Sequence, residues 1–284
     1  IQKSIHQNKI PNAYIFTGIR GVGKTTTARI VAKMLNCTVF DKNNNPDLIN
    51  CEQAKAITED RHPDVIEIDA ASNTSVENAR EIIENVKYNP VLGKYKVYIV
   101  DEVHMLSKSA FNALLKTLEE PPPHSKFIFA TTEISKVPIT ILSRCQRFDL
   151  RRVEKKTLSD FLKSIAKKED ITISNEALNL IIKASDGSVR DSLSILDQAN
   201  VFKSQKEIQV EEIVNMLGFA RQGDLYELSK CILDNNLSKL ISMLDDMYQR
   251  GSETSKIIED MMNIINWSCK LKINQELIED EFLT

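Results

Sequence analysis

The chain has 284 residues, is 42% hydrophobic and 27% charged, carries a net charge of -3 and shows no low-complexity tract, so it has apolar material for more than one packed core. Apolar runs such as 13–16 and 126–130 are far too short to span a bilayer, and no basic segment followed by a long apolar one opens the chain. The 5 cysteines, odd in number and scattered, fit reduced thiols rather than a secreted disulfide framework. Together these features predict a cytoplasmic protein of two or three domains with no membrane contact. The mild negative charge is no global sign of nucleic acid, so any DNA contact has to rest on local features such as a helix N-terminus. The chain begins at Ile1 rather than Met, as a piece of a longer protein would.

Short apolar runs at 13–16, 65–68, 97–100 and 127–130 alternate with helical patterns, which predicts βα units and a largely parallel sheet. A helix is expected after the first run, and another near Thr74, where Thr74 and Glu77 stand at capping-box spacing. Ser107 is the expected N-cap of a further helix. Phe111, Leu114, Leu115 and Leu118 form its apolar stripe and Pro121-Pro122-Pro123 stops it. All 8 prolines lie at or before Pro138, and the chain changes character near Leu150. Beyond that point helices are expected at 158–167, 176–184 and 189–202, with Gly187 in the second gap, then at 210–217, 224–233, 237–250 and 255–272. Breaks at 218–223, 234–236 and Gly251 separate the last four. The expected organisation is an α/β core over 1–149, a three-helix segment over 150–205 and an all-helical segment over 206–284.

The first candidate site is Gly18-Ile19-Arg20-Gly21-Val22-Gly23-Lys24-Thr25, which fits the phosphate-loop pattern between a strand and a helix. Glycines let the backbone N–H groups turn inward onto phosphate oxygens, and the following helix adds the positive end of its dipole. Gly18, Gly21, Val22, Gly23, Lys24, Thr25 and Thr26 are therefore the expected cradle for ATP, with Lys24 neutralising the β and γ phosphates and Thr25 on Mg²⁺. The bland alternative is a chance glycine-rich turn. The run 97–100 ends in Asp101-Glu102, so Asp101 is placed to hold Mg²⁺ through water and Glu102 to activate the attacking water. An exposed acidic turn is the competing explanation.

Further along stand Thr131-Thr132, Ser143-Arg144-Cys145 and Gly187-Ser188-Val189-Arg190-Asp191. In this order the motifs resemble AAA+ clamp loaders. The stretches Glu67-Ile-Asp-Ala-Ala-Ser72, Asp101-Glu-Val-His-Met-Leu106 and Phe111-Asn-Ala-Leu-Leu-Lys-Thr-Leu-Glu-Glu-Pro-Pro122 resemble the gamma/tau subunits of bacterial DNA polymerase III. The resemblance covers nearly the whole chain. It implies an AAA+ P-loop domain with a parallel sheet, then a small helical lid and an all-helical collar that joins neighbouring subunits. The implied function is an ATP-dependent clamp-loader subunit that places a sliding clamp on primer-template DNA, working with delta, delta prime and further gamma/tau copies. By the same resemblance Thr132 is sensor 1, Arg190 is sensor 2 and Arg144 is the arginine finger for a neighbour's site. For both arginines the ordinary alternative is a surface ion pair.

Cys145 is expected to fill space rather than act as a nucleophile. His104, in an Asp-Glu-x-His sequence that helicases also show, is expected to pack or hydrogen-bond beside the site. The family carries a segment upstream of Ile1 that helps enclose adenine, so base selectivity does not carry over to the chain as it stands. It also carries a four-cysteine zinc module, whereas this chain has Cys37 and Cys51, with Leu48 and Ala54 at the x-x-Cys spacing around the latter. Two thiolates do not close a tetrahedral site, so structural zinc is not expected. Residues 71–75 open a helix rich in hydroxyl and amide donors, which could hold a DNA phosphate or simply cap the helix. The rival functions are a branch-migration or replication-restart helicase and a non-hydrolysing scaffold subunit. Small-molecule kinases share the phosphate loop but not the later motifs.

Overall fold

The computed structural model describes residues 4, 7, 9–41, 45–72, 76–202, 207–217, 222–249 and 254–273. It divides into two compact units, one of Ile1–Val153 with Ser188–Arg190 and the other of Glu154–Gly187 with Asp191–Thr284.

The first unit is built on five parallel strands, β1 (Ala13–Thr17), β2 (Val65–Asp69), β3 (Lys96–Asp101), β4 (Ser125–Thr131) and β5 (Gln146–Asp149), in the order β2-β3-β4-β1-β5. Four of them grow from the apolar runs of the sequence. Side chains alternate between two faces, as the pleat requires. Ala13, Ile15, Tyr98, Val100, Phe127 and Phe129 face one core, shared with α3 (Val76–Val86) and α4 (Lys108–Glu119). Tyr14, Phe16, Val97, Ile99 and Ile128 face the other, packed on Ala28, Val31, Ala32 and Leu35 of α1 (Lys24–Asn36). Because both faces are covered, the central strands read as continuous apolar runs. Register places Thr17 beside Thr131 and Asp149, and Asp69 beside Asp101, so hydroxyls and carboxylates line the C-terminal edge of the sheet.

Ser107 caps α4 as expected, its hydroxyl accepting the Ala110 N–H at 3.2 Å. The capping pair at Thr74 and Glu77 cannot be placed, since 73–75 lie outside the described residues. In this unit α2 (Glu52–Thr58), the one-turn helix α5 (Ile139–Leu142) and the edge strand β5 depart from the sequence reading. Strand β5 is Gln-Arg-Phe-Asp, mostly exposed, and is held by its pairing with β1.

In the second unit α6 (Lys155–Lys168) packs on α7 (Asn175–Ala184), whose N-cap Ser174 accepts the Ala177 N–H at 3.2 Å. Helix α8 (Val189–Phe202) follows Gly187, and α9 (Val210–Leu217) also packs on α7. Two short strands, β6 (Thr172–Ile173) and β7 (Glu207–Ile208), pair in parallel; two residues each are too few to leave a periodic signal. Beyond them α10 (Gln222–Leu233), α11 (Leu237–Gln249) and α12 (Thr254–Ile273) bury Leu225, Leu228, Met247, Ile257 and Ile264. Of the expected break at 218–223, residues 218–221 lie outside the described residues and Gln222-Gly223 instead open α10; Gly251 also lies outside them, and at 234–236 the chain turns through Asn235, at φ 52°. No helix among the described residues is long and apolar enough to cross a membrane.

Candidate active site

The loop after β1 turns back at the sheet edge through glycines. At Gly23, the N-cap of α1, φ is 91° and ψ is 27°, a left-handed conformation that a side chain would strain. At Gly21, φ is 77° and an added Cβ would stand 2.0 Å from Ser188 Oγ, so both the backbone and a close neighbour demand glycine. Gly23 has no side chain to cap α1, and the first-turn N–H groups stand at the positive end of the helix dipole. Val22 is half-buried and Thr26 exposed beside this turn.

Lys24 is only 6% exposed, and its Nζ donates to the carbonyls of Gly18 at 3.1 Å and Ile19 at 3.0 Å. Burial pulls its pKa below the ordinary lysine range, while the Glu102 and Asp101 carboxylates push the other way. The Thr25 hydroxyl donates to Asp101 Oδ2 at 2.5 Å, joining the start of α1 to the end of β3. The other Asp101 oxygen accepts the Glu102 N–H at 2.9 Å. Glu102 Oε2 in turn accepts the Thr132 N–H at 3.2 Å and the Thr132 hydroxyl at 2.9 Å, joining β3 to β4. Thus Lys24, Thr25, Asp101, Glu102 and Thr132, from three separate stretches of sequence, meet at one edge.

The two arginines are placed differently. Arg190 belongs with the first unit: its N–H donates to the Gly21 carbonyl at 3.3 Å, alongside the Val189 N–H at 3.1 Å, and its side chain is exposed. Arg144 follows α5 and pairs with Glu119, while its Nη1 donates to the Thr140 carbonyl at 2.7 Å and to Ser143 Oγ at 3.2 Å. None of these partners lies in the loop or on the acidic edge. Cys145 packs against the apolar core, and burial pushes its thiol up to about 12, which suits a filler rather than a nucleophile. The sequence reading overlooked Ser188 against Gly21 and Thr131, whose hydroxyl lies 2.9 Å from His104 Nδ1. Thr131 carried one signal, its place in a Thr-Thr pair at the end of an apolar run. Of the helix opening at 71–75, Ala71 N–H and Ser72 Oγ donate to Asp69 at 2.9 and 3.3 Å, and 73–75 lie outside the described residues.

Three family models match the chain: "DNA polymerase III, delta subunit" over residues 1–154, "DNA polymerase III clamp loader subunit, ATPase lid domain" over 157–204 and "DNA polymerase III subunits gamma and tau domain III" over 208–283. A DNA polymerase III subunit gamma of Buchnera aphidicola (subsp. Schizaphis graminum) is 40% identical over 272 residues, covering 96% of this chain and 74% of that protein. The chain belongs to the DNA polymerase III gamma and tau subunit family. The tau subunits of Bacillus subtilis and Escherichia coli are 45% and 40% identical, but this chain spans only 46% and 40% of their lengths. Among solved structures, the Thermotoga maritima RuvB Holliday junction branch migration motor matches with a TM-score of 0.55 at 17% identity, covering 93% of this chain and 83% of that one. At that identity the likeness concerns the fold alone, an α/β architecture with a parallel sheet followed by helical domains.

In this gamma/tau family member the insert between α1 and β2 is closed by apolar packing. Cys37 and Cys51 are buried together with Ala54, and Leu48 packs against them. Leu48 and Ala54, the residues at x-x-Cys spacing, thus complete an apolar cluster with the two thiols. The two thiols shift in opposite directions: burial pushes Cys37 up to about 11, whereas at Cys51 burial is outweighed by the Ala54 and Thr38 backbone and the bond to Cys37, which bring it down to about 7, so the case against zinc rests on the count of ligands. Purified protein is accordingly expected to hold well under one zinc per chain. Stoichiometric zinc by elemental analysis would overturn this and require ligands other than these two.

Proposed function

We infer that this chain is an ATP-dependent clamp-loader subunit of the replicative DNA polymerase III. It would assemble with delta, delta prime and further gamma/tau copies, open a sliding clamp, place it on primer-template DNA, and release it when ATP is hydrolysed. The observation that carries this reading is the convergence of Lys24, the Thr25–Asp101 pair and the Glu102–Thr132 pair at the sheet edge of a gamma/tau family member.

In this reading Gly18, Gly21, Val22, Gly23 and Thr26 shape the phosphate cradle, and their N–H groups and the start of α1 face the phosphates. Lys24 exchanges its two loop carbonyls for β and γ phosphate oxygens, a stronger charge-assisted pairing. Thr25 and Asp101 present a hydroxyl and a carboxylate within 2.5 Å, hard oxygen donors that fit Mg²⁺. Bound there, Mg²⁺ would neutralise charge on the phosphates. Glu102 takes the proton of the attacking water, Thr132 orients that water and the γ-phosphate, and Arg190 stands beside the loop as sensor 2. Arg144, engaged away from its own loop, is free to serve a neighbour's. The lid corresponds to 150–205 and the collar to 206–284.

Replacing Glu102 with Gln is expected to leave ATP binding intact and to slow turnover by about 10²-fold or more, because the amide cannot accept the proton. Near-wild-type turnover in a steady-state assay would place the base elsewhere. The wider test is ATP turnover with partner subunits, clamp and primed DNA added one at a time. Stepwise stimulation supports clamp loading. Processive translocation by a hexamer would favour a branch-migration helicase, and absent turnover in every combination would favour a scaffold subunit.

A further inference from the structure

Glu102 is held in an unusual conformation. With φ 44° and ψ 45° it is a non-glycine residue in the left-handed region, and so needs support from its surroundings. Thr132 supplies two hydrogen bonds to Oε2. A third contact with the same oxygen comes from His104, whose Nδ1 lies 3.3 Å from Oε2. The His104 side chain is 6% exposed and sits in the turn of Val103–Met105, directly after the acidic pair.

The tautomer of that ring follows from its neighbours. Nδ1 is also 2.9 Å from Thr131 Oγ1, which itself accepts the Glu133 N–H at 3.0 Å. A bare Nδ1 lone pair would stand 3.3 Å from a carboxylate oxygen, whereas an Nδ1–H donates to Thr131 Oγ1 and lays its positive end near that carboxylate, so the tautomer protonated at Nδ1 is the one the oxygens favour. On the far side Nε2 is 3.6 Å from Glu133 Oε1, beyond hydrogen-bond range, and Glu133 is paired with Lys136 at 2.8 Å.

We propose that His104 is a positioning residue for Glu102: held by Thr131, the positive end of its Nδ1–H stands 3.3 Å from Oε2 and, with the two Thr132 hydrogen bonds, keeps that oxygen in place, so that Oε1 is the oxygen turned to the attacking water. The proposal rests on the reading of Glu102 as general base. It assigns His104 a role in the chemical step and none in nucleotide affinity.

Two substitutions oppose a positioning role to a packing role. Leu fills the volume of the ring without a donor, and Asn places an amide N–H near Nδ1 while losing volume. Positioning predicts that His104→Leu lowers kcat by about 10-fold with KM for ATP changed less than about twofold, and that His104→Asn stays within about threefold of wild type. A packing role predicts the reverse order, with the loss showing in thermal stability. In a Glu102→Gln background, His104→Leu should cause no further loss of turnover, since no base remains to be oriented. Measured on the full chain with its partner subunits, a wild-type kcat in His104→Leu, or a loss that persists in the Glu102→Gln background, would overturn the proposal. Should the leucine variant fail to fold, a kcat loss of about 10-fold in His104→Asn at unchanged KM would overturn it, and near-wild-type turnover would support it. Failure of the underlying reading looks different: Glu102→Gln itself would then turn over like wild type.

Discussion

An assembly mixed from Arg144→Ala and Lys24→Ala chains is expected to recover ATP turnover that neither variant shows by itself. In such a mixture some interfaces pair an intact phosphate loop with an intact arginine from the next subunit. The arginine's charge offsets charge that develops on the transferring phosphoryl group, an effect worth a rate factor of roughly 10³ or more. That corresponds to about 4 kcal/mol of barrier. Against it stands the pairing of Arg144 with Glu119 on a partly exposed surface, where an ion pair contributes about 0–1 kcal/mol. Giving up that pair to reach a neighbour is therefore a small cost beside the gain. The Arg144→Ala chain should bind ATP normally at its own site, because its polar partners Glu119, Thr140 and Ser143 lie outside the loop. No recovery in any mixture, with assembly confirmed by light scattering, would count against a shared site.

Lys24→Ala alone is expected to abolish tight ATP binding. The ammonium is buried at the loop and is the one strong cation placed by the motif against the β and γ phosphates. Alanine would leave that phosphate charge uncompensated, and would also leave the Gly18 and Ile19 carbonyls without their donor. Calorimetric titration of the variant with nucleotide is the direct measurement. Wild-type affinity would show that the phosphates lie elsewhere.

Much of this was legible in the residues because the relevant forces are local. Four strands could be read from apolar runs, since a parallel strand covered on both faces has no polar side to interrupt it. Helix α4 could be read from Ser107, its apolar stripe and the three prolines that follow, each acting within a few residues. The phosphate loop was legible for the same reason: glycine spacing and a strand-to-helix turn are properties of one short segment.

What the sequence left open involves partners distant along the chain. Strand β5 has no apolar run of its own and exists because β1 offers it an edge, from Tyr14 beside Gln146 to Thr17 beside Asp149. Leu48, Ala54, Cys37 and Cys51 could be listed from the sequence, but only packing made them one apolar cluster. Likewise Arg190 could be matched by motif, yet its N–H on the Gly21 carbonyl depends on residues 188–190, part of the first unit, lying against the loop. His104 shows the limit most clearly. Its position after Asp-Glu was plain, but its contacts with Thr131 and Glu102 come from the registry of β3 beside β4, which brings Ile99 opposite Ile128 and carries both strand ends to the same edge. Patterning along a segment chooses its secondary structure, whereas hydrogen bonds between segments depend on how the strands are ordered, and that order is set by the packing of the whole sheet.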